Sequence, residues 1–458
     1  MGARRPRAFV VVDLGFGDSG KGLLTDFLVR RTGASVVVRY NGGAQAGHNV
    51  VTPDGRHHTF AQFGAGTFLP GVRTFLSRHV VVHPTALLVE AAVLRIKGVE
   101  DALSRIRVSE QARVITPFHQ AANRLRELAR GEARHGSCGV GVGETVQDSL
   151  EHPEETVLAG DLRDVAALRR RLRRTRERKH TELRGLWGPG PLAPEAERER
   201  GVFEREEVLE AWLEQAMRLS TLGLVAPDTT LAAWMAEASS TLFEGAQGVL
   251  LDEEWGFHPF TTWSRCTARN ALELIAECGQ DTEVTRLGVL RSYAVRHGAG
   301  PLPTETKALR PGSTEHNVHN PWQGHVRYGW FDAMLARYAL DVVGGVDALA
   351  LTHLDAPRPT SPWALCTGYQ GAWGVADADL FAPGFTRLAV PSRPTLQRQA
   401  RLAQLLARAK PVLESCGPEP GAVLSRVEQL LDRRVDLSSR GPCAGDVTSR
   451  SPQLRSLQ

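Results

Sequence analysis

Residues 15 to 22 read GFGDSGKG, between the apolar runs AFVVVDL and LLTDFL. A glycine, four residues and then Gly-Lys is the spacing of a phosphate-binding loop. Glycines let backbone N–H groups approach phosphate oxygens, and Lys21 adds a positive charge. The next position, where such loops carry the Ser or Thr that holds magnesium, is Gly22. Asp18 answers that loss: a carboxylate beside a phosphate is repelled unless a cation bridges them. It is therefore a candidate metal ligand, or a base acting on a bound substrate.

Three more stretches have the same character. VVVRYNGGAQAGHNVV, 36 to 51, runs from a strand into a glycine-rich turn carrying Gln45 and His48. A histidine in such a turn is a candidate for acid/base work. LFEGAQGVLLDEEWGFHPFTTWSRCT, 242 to 267, sets Gln247 between glycines after a strand, which places an amide against a ligand at the strand's carboxyl end. LRSYAVRHGAGPLPTE, 290 to 305, has two glycines followed by Pro-Leu-Pro.

The elements that must position these turns are short apolar runs: AFVVVDL, SVVVRY, RHVVVHP, STLFEG, RLGVLRSYAV and DALALTHLD. Helical patterns such as HPTALLVEAAVLRI and FDAMLARYALDVV separate several of them. This alternation predicts an α/β fold with a large, mostly parallel central sheet and helices on both faces. PTLQRQARLAQLLARAKPVLESC and GAVLSRVEQLLDRRVD read as two amphipathic helices. ALRRRLRRTRERKHTELRGLWGPGPLAP, 167 to 194, reads as an arginine-rich helix and a Gly/Pro-rich loop. Without interleaved aromatics, a solvated helix face is preferred there to a nucleic-acid patch.

The 458 residues carry a net charge of +4, too small to imply a nucleic-acid partner. The basic, then apolar N-terminus resembles a signal peptide only superficially, because Asp13 breaks its apolar stretch and no small-residue cleavage site follows. No stretch is long and apolar enough for a membrane span. Six cysteines without CxxC spacing predict a reduced, cytoplasmic protein without a zinc site.

Taken in order, the four stretches resemble the adenylosuccinate synthetase family, whose members carry GDEGKGK, RYQGGHNAGHT, FEGAQGxLLD…PYVTSS and RVGAGPFPTE. SEQARVITPFHQAANRLRE, GWFDAMLARYA, LTHLD and SSRGP extend the likeness across almost the whole chain. The resemblance implies a P-loop-like GTP-binding ligase fold, one domain over 1–458 with helical insertions. Residues 163–200 form its divergent Arg/Gly/Pro-rich helical insertion and loop. It implies a reaction joining L-aspartate to C6 of IMP through a 6-phosphoryl intermediate, giving adenylosuccinate, GDP and phosphate, with Mg2+ required and GTP as co-substrate.

By the same resemblance Asp18 takes the proton from N1 of the purine, His48 acts as a general acid on the GTP side, and Lys21 neutralises phosphate charge. Asp18 and the carbonyl of Gly47 hold the metal. Gly17, Ser19, Gly20, Lys21, Gly22, Gly47, His48, His353, Asp355, Ser439, Gly441 and Pro442 bind GTP. Asp18, Gln45, Cys138, Gln247 and Thr262 bind IMP, and His325 and Arg327 bind aspartate. A cytoplasmic homodimer, with no nucleic-acid or membrane partner, is implied as well.

The chain departs from the family in places. Its first loop is shorter, Ser19 replaces a Glu and Leu23 a Lys. In HGSCGVGVGETVQDSLEHPEE, 135 to 155, Ser137 or Cys138 takes a Thr position and Val140 an Arg position. The Arg that reaches a partner's IMP phosphate has no counterpart, the region offering His152 and Glu154 instead. His325 replaces a second arginine and His353 a Lys. Two further readings therefore stand beside the synthetase. One is a paralogue running the same ligation on another purine-like nucleotide or amino acid. The other is a GTP-binding protein without ligase activity, against which Asp18 and His48 count, since a switch protein needs neither.

Overall fold

The computed structural model describes residues 5–131, 134–186, 192–309, 321–357, 363–371, 373–383 and 386–451. The chain opens with β1 (Arg7–Asp13), α1 (Lys21–Thr32), β2 (Val36–Arg39) and the hairpin β3 (His48–Val51) and β4 (His57–Phe60). β5 (Arg73–Leu76), β6 (Val81–Val82) and α2 (Pro84–Ile96) lead to β7 (Ile106–Ser109) and β8 (Arg113–Val114). A helical stretch follows: α3 (Pro117–Arg130), α4 (Val142–Glu151), α5 (Val165–Leu183), α6 (Pro194–Glu204) and α7 (Glu206–Thr221). Next come β9 (Val225–Ala226), α8 (Thr229–Glu237), β10 (Ser240–Glu244), α9 (Arg269–Glu277), β11 (Glu283–Arg291) and β12 (Tyr293–His297). The remainder comprises β13 (Val326–Asp332), α10 (Ala333–Val342), β14 (Ala348–Thr352), β15 (Trp363–Gln370), α11 (Leu396–Arg408), β16 (Lys410–Cys416), α12 (Pro420–Leu431), β17 (Leu437–Ser439) and β18 (Val447–Ser449).

Among the described residues, ten strands form one sheet in the order β18-β17-β14-β11-β1-β10-β2-β5-β7-β9. Every neighbouring pair is parallel except β17 with β18. β1 shows why its apolar run has no alternation. Ala8, Val10 and Val12 join the core beneath α9, α10, α11 and α12, while Phe9 and Val11 pack with Leu24, Phe27 and Leu28 of α1. A strand covered on both faces needs apolar side chains at both parities. A separate core, under the edge near β7, gathers α2, α3, α5 and α7.

Some elements differ from expectation. RHVVVHP yields only the two-residue β6, paired with β8 outside the main sheet. It is cut short because His83 caps α2, its Nδ1 accepting from the Ala86 N–H at 3.3 Å. RLGVLRSYAV divides at Ser292 between the large sheet and a second one, β12-β13-β15-β16. The helix expected to run to Cys416 stops at Arg408, and β16 follows. Pro411 has no N–H to donate to a helix and pushes the preceding residue towards extended backbone.

The arginine-rich α5 is more than a solvated face. Arg169 pairs with Glu210, and Arg173 and Arg176 with Glu206, both on α7. On its other side Lys179 is buried among Glu144 and Asp148 of α4 and Glu182.

Candidate active site

Because the central strands run parallel, their carboxyl ends lie on one side of the sheet. The loops after β1, β2, β10, β14 and β17 all open there, which is where open α/β sheets bind ligands. The first loop is organised from beneath by Asp13, the last residue of β1. Its carboxylate accepts from Gly15 N–H at 2.9 Å, Ser19 N–H at 3.0 Å and Ser19 Oγ at 2.8 Å. It also forms a buried ion pair with Lys21 Nζ at 2.7 Å. Gly17 and Gly20 take φ values of 95° and 92°, which a side chain would strain. α1 then begins at Lys21 without a side-chain cap, leaving first-turn N–H groups for an anion.

Packing explains the missing Ser or Thr at position 22. A Cβ on Gly22 would lie 2.6 Å from the Asn49 carbonyl oxygen. The hairpin strand that begins at His48 rests directly on the first turn of α1, so no side chain fits.

The second and third loops are joined by Asn41, whose amide accepts from Ala246 N–H at 2.7 Å and donates to the Ala246 carbonyl at 3.0 Å. This brings His48 against Glu244, the last residue of β10: Nδ1 and Oε1 are 2.6 Å apart. The other Glu244 oxygen accepts from Ala65 N–H at 3.0 Å. Burial and the Arg39 charge push the His48 imidazole down to about 4, although Glu244 pulls the other way. His48 is thus neutral at neutral pH, its Nδ1–H on the carboxylate.

Asp18 has φ 57°. Its Oδ2 is 2.7 Å from His297 Nε2, and its backbone oxygen accepts from Arg291 Nη1 at 3.0 Å. Burial pushes its carboxyl up. The His297 hydrogen bond and the charges of His297, Lys21 and Arg291 outweigh that and hold it at about 2. The group is ionised throughout the neutral range.

One open cleft is lined by Asp18, Gly20, Lys21, Gly22, Gly47 and His48 and by His353, Asp355, Gly441 and Pro442. Leu23, Asn49, Val51 and Arg291 complete it. Gly17 and Ser19 instead line a second, mostly apolar cavity beneath the loop. Ser439 stands behind the cleft and accepts from the Leu354 N–H at 3.0 Å, fixing the LTHLD turn. Burial and Arg291 keep His353 well below the ordinary imidazole range.

The remaining predicted residues lie outside the walls of that cleft. Gln247, φ 56°, packs its backbone over Gly17, and its amide lies beside Gly42, while Gln45 lies beside Gly43. The Oε1 atoms of both glutamines are buried without a hydrogen-bond partner. Thr262 donates its N–H to the Leu251 carbonyl at 2.8 Å. The Cys138 loop approaches through Gly136, which packs against Gly298; burial pushes the Cys138 thiol up. Arg327 donates to the carbonyls of Gly298 and Gly300 and to Glu305, and His325 is exposed at the approach to β13. Asn320, the start of the expected amino-acid loop, lies outside the described residues.

Among the described residues, four non-glycine positions have positive φ: Asp18, Gln247, His353 and Asp432. The first three belong to the predicted site, and such strain concentrates where function over-determines the backbone. Asp13, Glu244, His297 and Arg291 were not singled out from the sequence. Asp13 and Glu244 each end a hydrophobic strand with a carboxylate, and His297 sits where the RVGAGPFPTE pattern has Val. Those were the available signals.

Fold and cleft together define a nucleotide-binding α/β protein built around a phosphate loop. The family profile described as Adenylosuccinate synthetase matches residues 10–442. An adenylosuccinate synthetase of Caldanaerobacter subterraneus subsp. tengcongensis is 33% identical over 368 residues, 79% of this chain and 81% of the relative. That of Pseudomonas fluorescens is 32% identical over 444 residues, 94% of this chain and 96% of the relative. The solved structure of fully ligated adenylosuccinate synthetase from Plasmodium falciparum shares the fold, with a TM-score of 0.74 at 18% identity. It covers 97% of this chain and 99% of that one. The chain belongs to the adenylosuccinate synthetase family, a family of ligases.

Proposed function

We propose that this chain uses GTP to join L-aspartate to C6 of IMP, releasing GDP and phosphate, and that the cleft beside Asp18 holds the GTP. The observation that carries this reading is that one cleft gathers an ionised Asp18, the Lys21 ammonium, the His48–Glu244 pair and, at its far end, Asp355. Asp18 accepts the N1 proton, which makes O6 a nucleophile towards the γ-phosphate. Lys21 and the free N–H groups of α1 hold phosphate oxygens, and positioning with charge neutralisation accounts for most of the catalysis. Phosphate charge arriving beside His48 favours the imidazolium, with Glu244 holding the ring by Nδ1–H. The amine of aspartate then displaces phosphate from C6.

Gln45 and Gln247, whose amide oxygens are buried and unpaired, bind IMP together with Thr262 and Cys138. Asp355 accepts from the guanine edge, with His353, Gly441, Pro442 and Ser439 shaping that end. Asp18 and the Gly47 carbonyl would hold Mg2+. Among the described residues no cluster of three or more His, Cys, Asp or Glu could hold a metal alone. That suits an ion that keeps few protein ligands and takes the rest from phosphates and water. Bound there, Mg2+ neutralises phosphate charge. A cytoplasmic homodimer completes the reading; among the described residues, no helix is long and apolar enough to cross a membrane.

A second reading, the same ligation on another nucleotide or amino acid, is favoured by Arg327. Its guanidinium is engaged by two backbone carbonyls and Glu305 instead of standing open for a substrate carboxylate.

The test is phosphate release from Mg-GTP by the purified protein alone, with IMP, with aspartate, and with both. Release that needs both, lost in Asp18→Asn while GTP still binds, is the expected result. Intact GTP in all four mixtures would turn the assignment to other acceptors.

A further inference from the structure

We propose that His297 is a positioning residue that fixes the orientation of the Asp18 carboxylate, one oxygen held on the imidazole and the other presented to the reacting nucleotide. This rests on the reading of Asp18 as the base of the ligation. Asp18 sits in left-handed backbone on the glycine-rich turn. Its supports come from distant strands. Arg291 of β11 holds its backbone oxygen at 3.0 Å, and His297 at the end of β12 holds Oδ2 at 2.7 Å.

His297 is itself anchored. It pairs with Val326 in the β12–β13 ladder. The turn that follows is clamped by two arginines. Arg327 donates to the carbonyls of Gly298 and Gly300, while buried Arg296 donates to those of Ala299 and Pro301 and, at 3.0 Å, to Phe260. The imidazole therefore stands on a paired strand and a clamped turn, and it holds a carboxylate at the tip of the glycine-rich loop. A catalytic group fixed before substrate arrives avoids reorganisation during reaction, and small misplacements are costly.

The test uses His297→Val and His297→Gln in the full chain. Without the imidazole, kcat falls on the order of 10²-fold, while the KM for GTP, to which Lys21 and Asp355 also contribute, changes far less. Gln, whose amide can still donate to the carboxylate, restores kcat to within about fivefold of wild type. A crystal structure of His297→Val shows the Asp18 carboxylate in more than one orientation.

If Asp18 keeps its orientation in that crystal, or Val and Gln lower kcat equally along with the thermal midpoint, the proposal is overturned. If the wild type turns over no acceptor yet Asp18 reorients in His297→Val, the ligase reading fails and the positioning role stands.

Discussion

His48 Nδ1 and Glu244 Oε1 lie 2.6 Å apart although 196 residues separate them in the chain. The pair joins the hairpin over α1 to the carboxyl end of β10, and it fixes which imidazole nitrogen faces the cleft. Glu244→Gln removes the anion that would stabilise an imidazolium. We expect kcat to fall on the order of 10²-fold, with GTP binding changed far less. Steady-state phosphate release set against GTP titration by fluorescence reads the difference.

The same burial makes the fold acid-sensitive. The folded His48 imidazole titrates near 4, against an ordinary 6.5, so between those values the unfolded chain binds more protons. Stability therefore falls as pH drops through that window, by a contribution on the order of 3 kcal/mol from His48 alone. Burial of His353 adds in the same direction. Urea unfolding of wild type and His48→Gln at pH 7 and pH 5 checks this; the variant loses less stability between the two.

Restoring the usual phosphate-loop residue with Gly22→Ser will not create a better magnesium site. Its Cβ would fall against the Asn49 carbonyl. Such overpacking costs about 1–3 kcal/mol. The expected outcome is a lower unfolding midpoint and weaker Mg-GTP binding by calorimetry. Tighter Mg-GTP binding would contradict the packing argument.

Lys179 lies buried with Nζ 2.5 Å from Asp148 and 3.2 Å from Glu144. Lys179→Met removes the buried cation the two carboxylates share, leaving Asp148 with Arg178 and His119 and Glu144 with Arg126. With those partners in place the loss is smaller than the about 3–5 kcal/mol of a fully orphaned buried charge. Denaturant unfolding reads the loss, and pairing the change with Asp148→Asn recovers part of it.

The sequence alone determined the phosphate loop, the alternation of strands and helices, and the residues whose chemistry is set by local spacing. Gly-Lys after a glycine-rich turn, the carboxylate of Asp18 within it and His48 among glycines are legible because their spacing lies within a few residues. β1 is legible too, because a strand buried on both faces must be apolar at every position. The early stop of α11 could have been read from Pro411.

Tertiary structure alone decided what stands against those residues. Asp18 meets His297 across 279 residues and Arg291 across 273. Neither distance has any periodic trace in the chain. Asp13 reads in sequence as the charged end of a strand, and only folding makes it the seat of Lys21. Arg327 reads, by resemblance, as an aspartate-binding residue, and in the fold its guanidinium donates to the carbonyls of Gly298 and Gly300, after His297. Spacing reveals what a side chain can do, but hydrogen bonds and charge act over a few ångströms. Which groups come that close is set by sheet order, which places β10 and β11 on either side of β1.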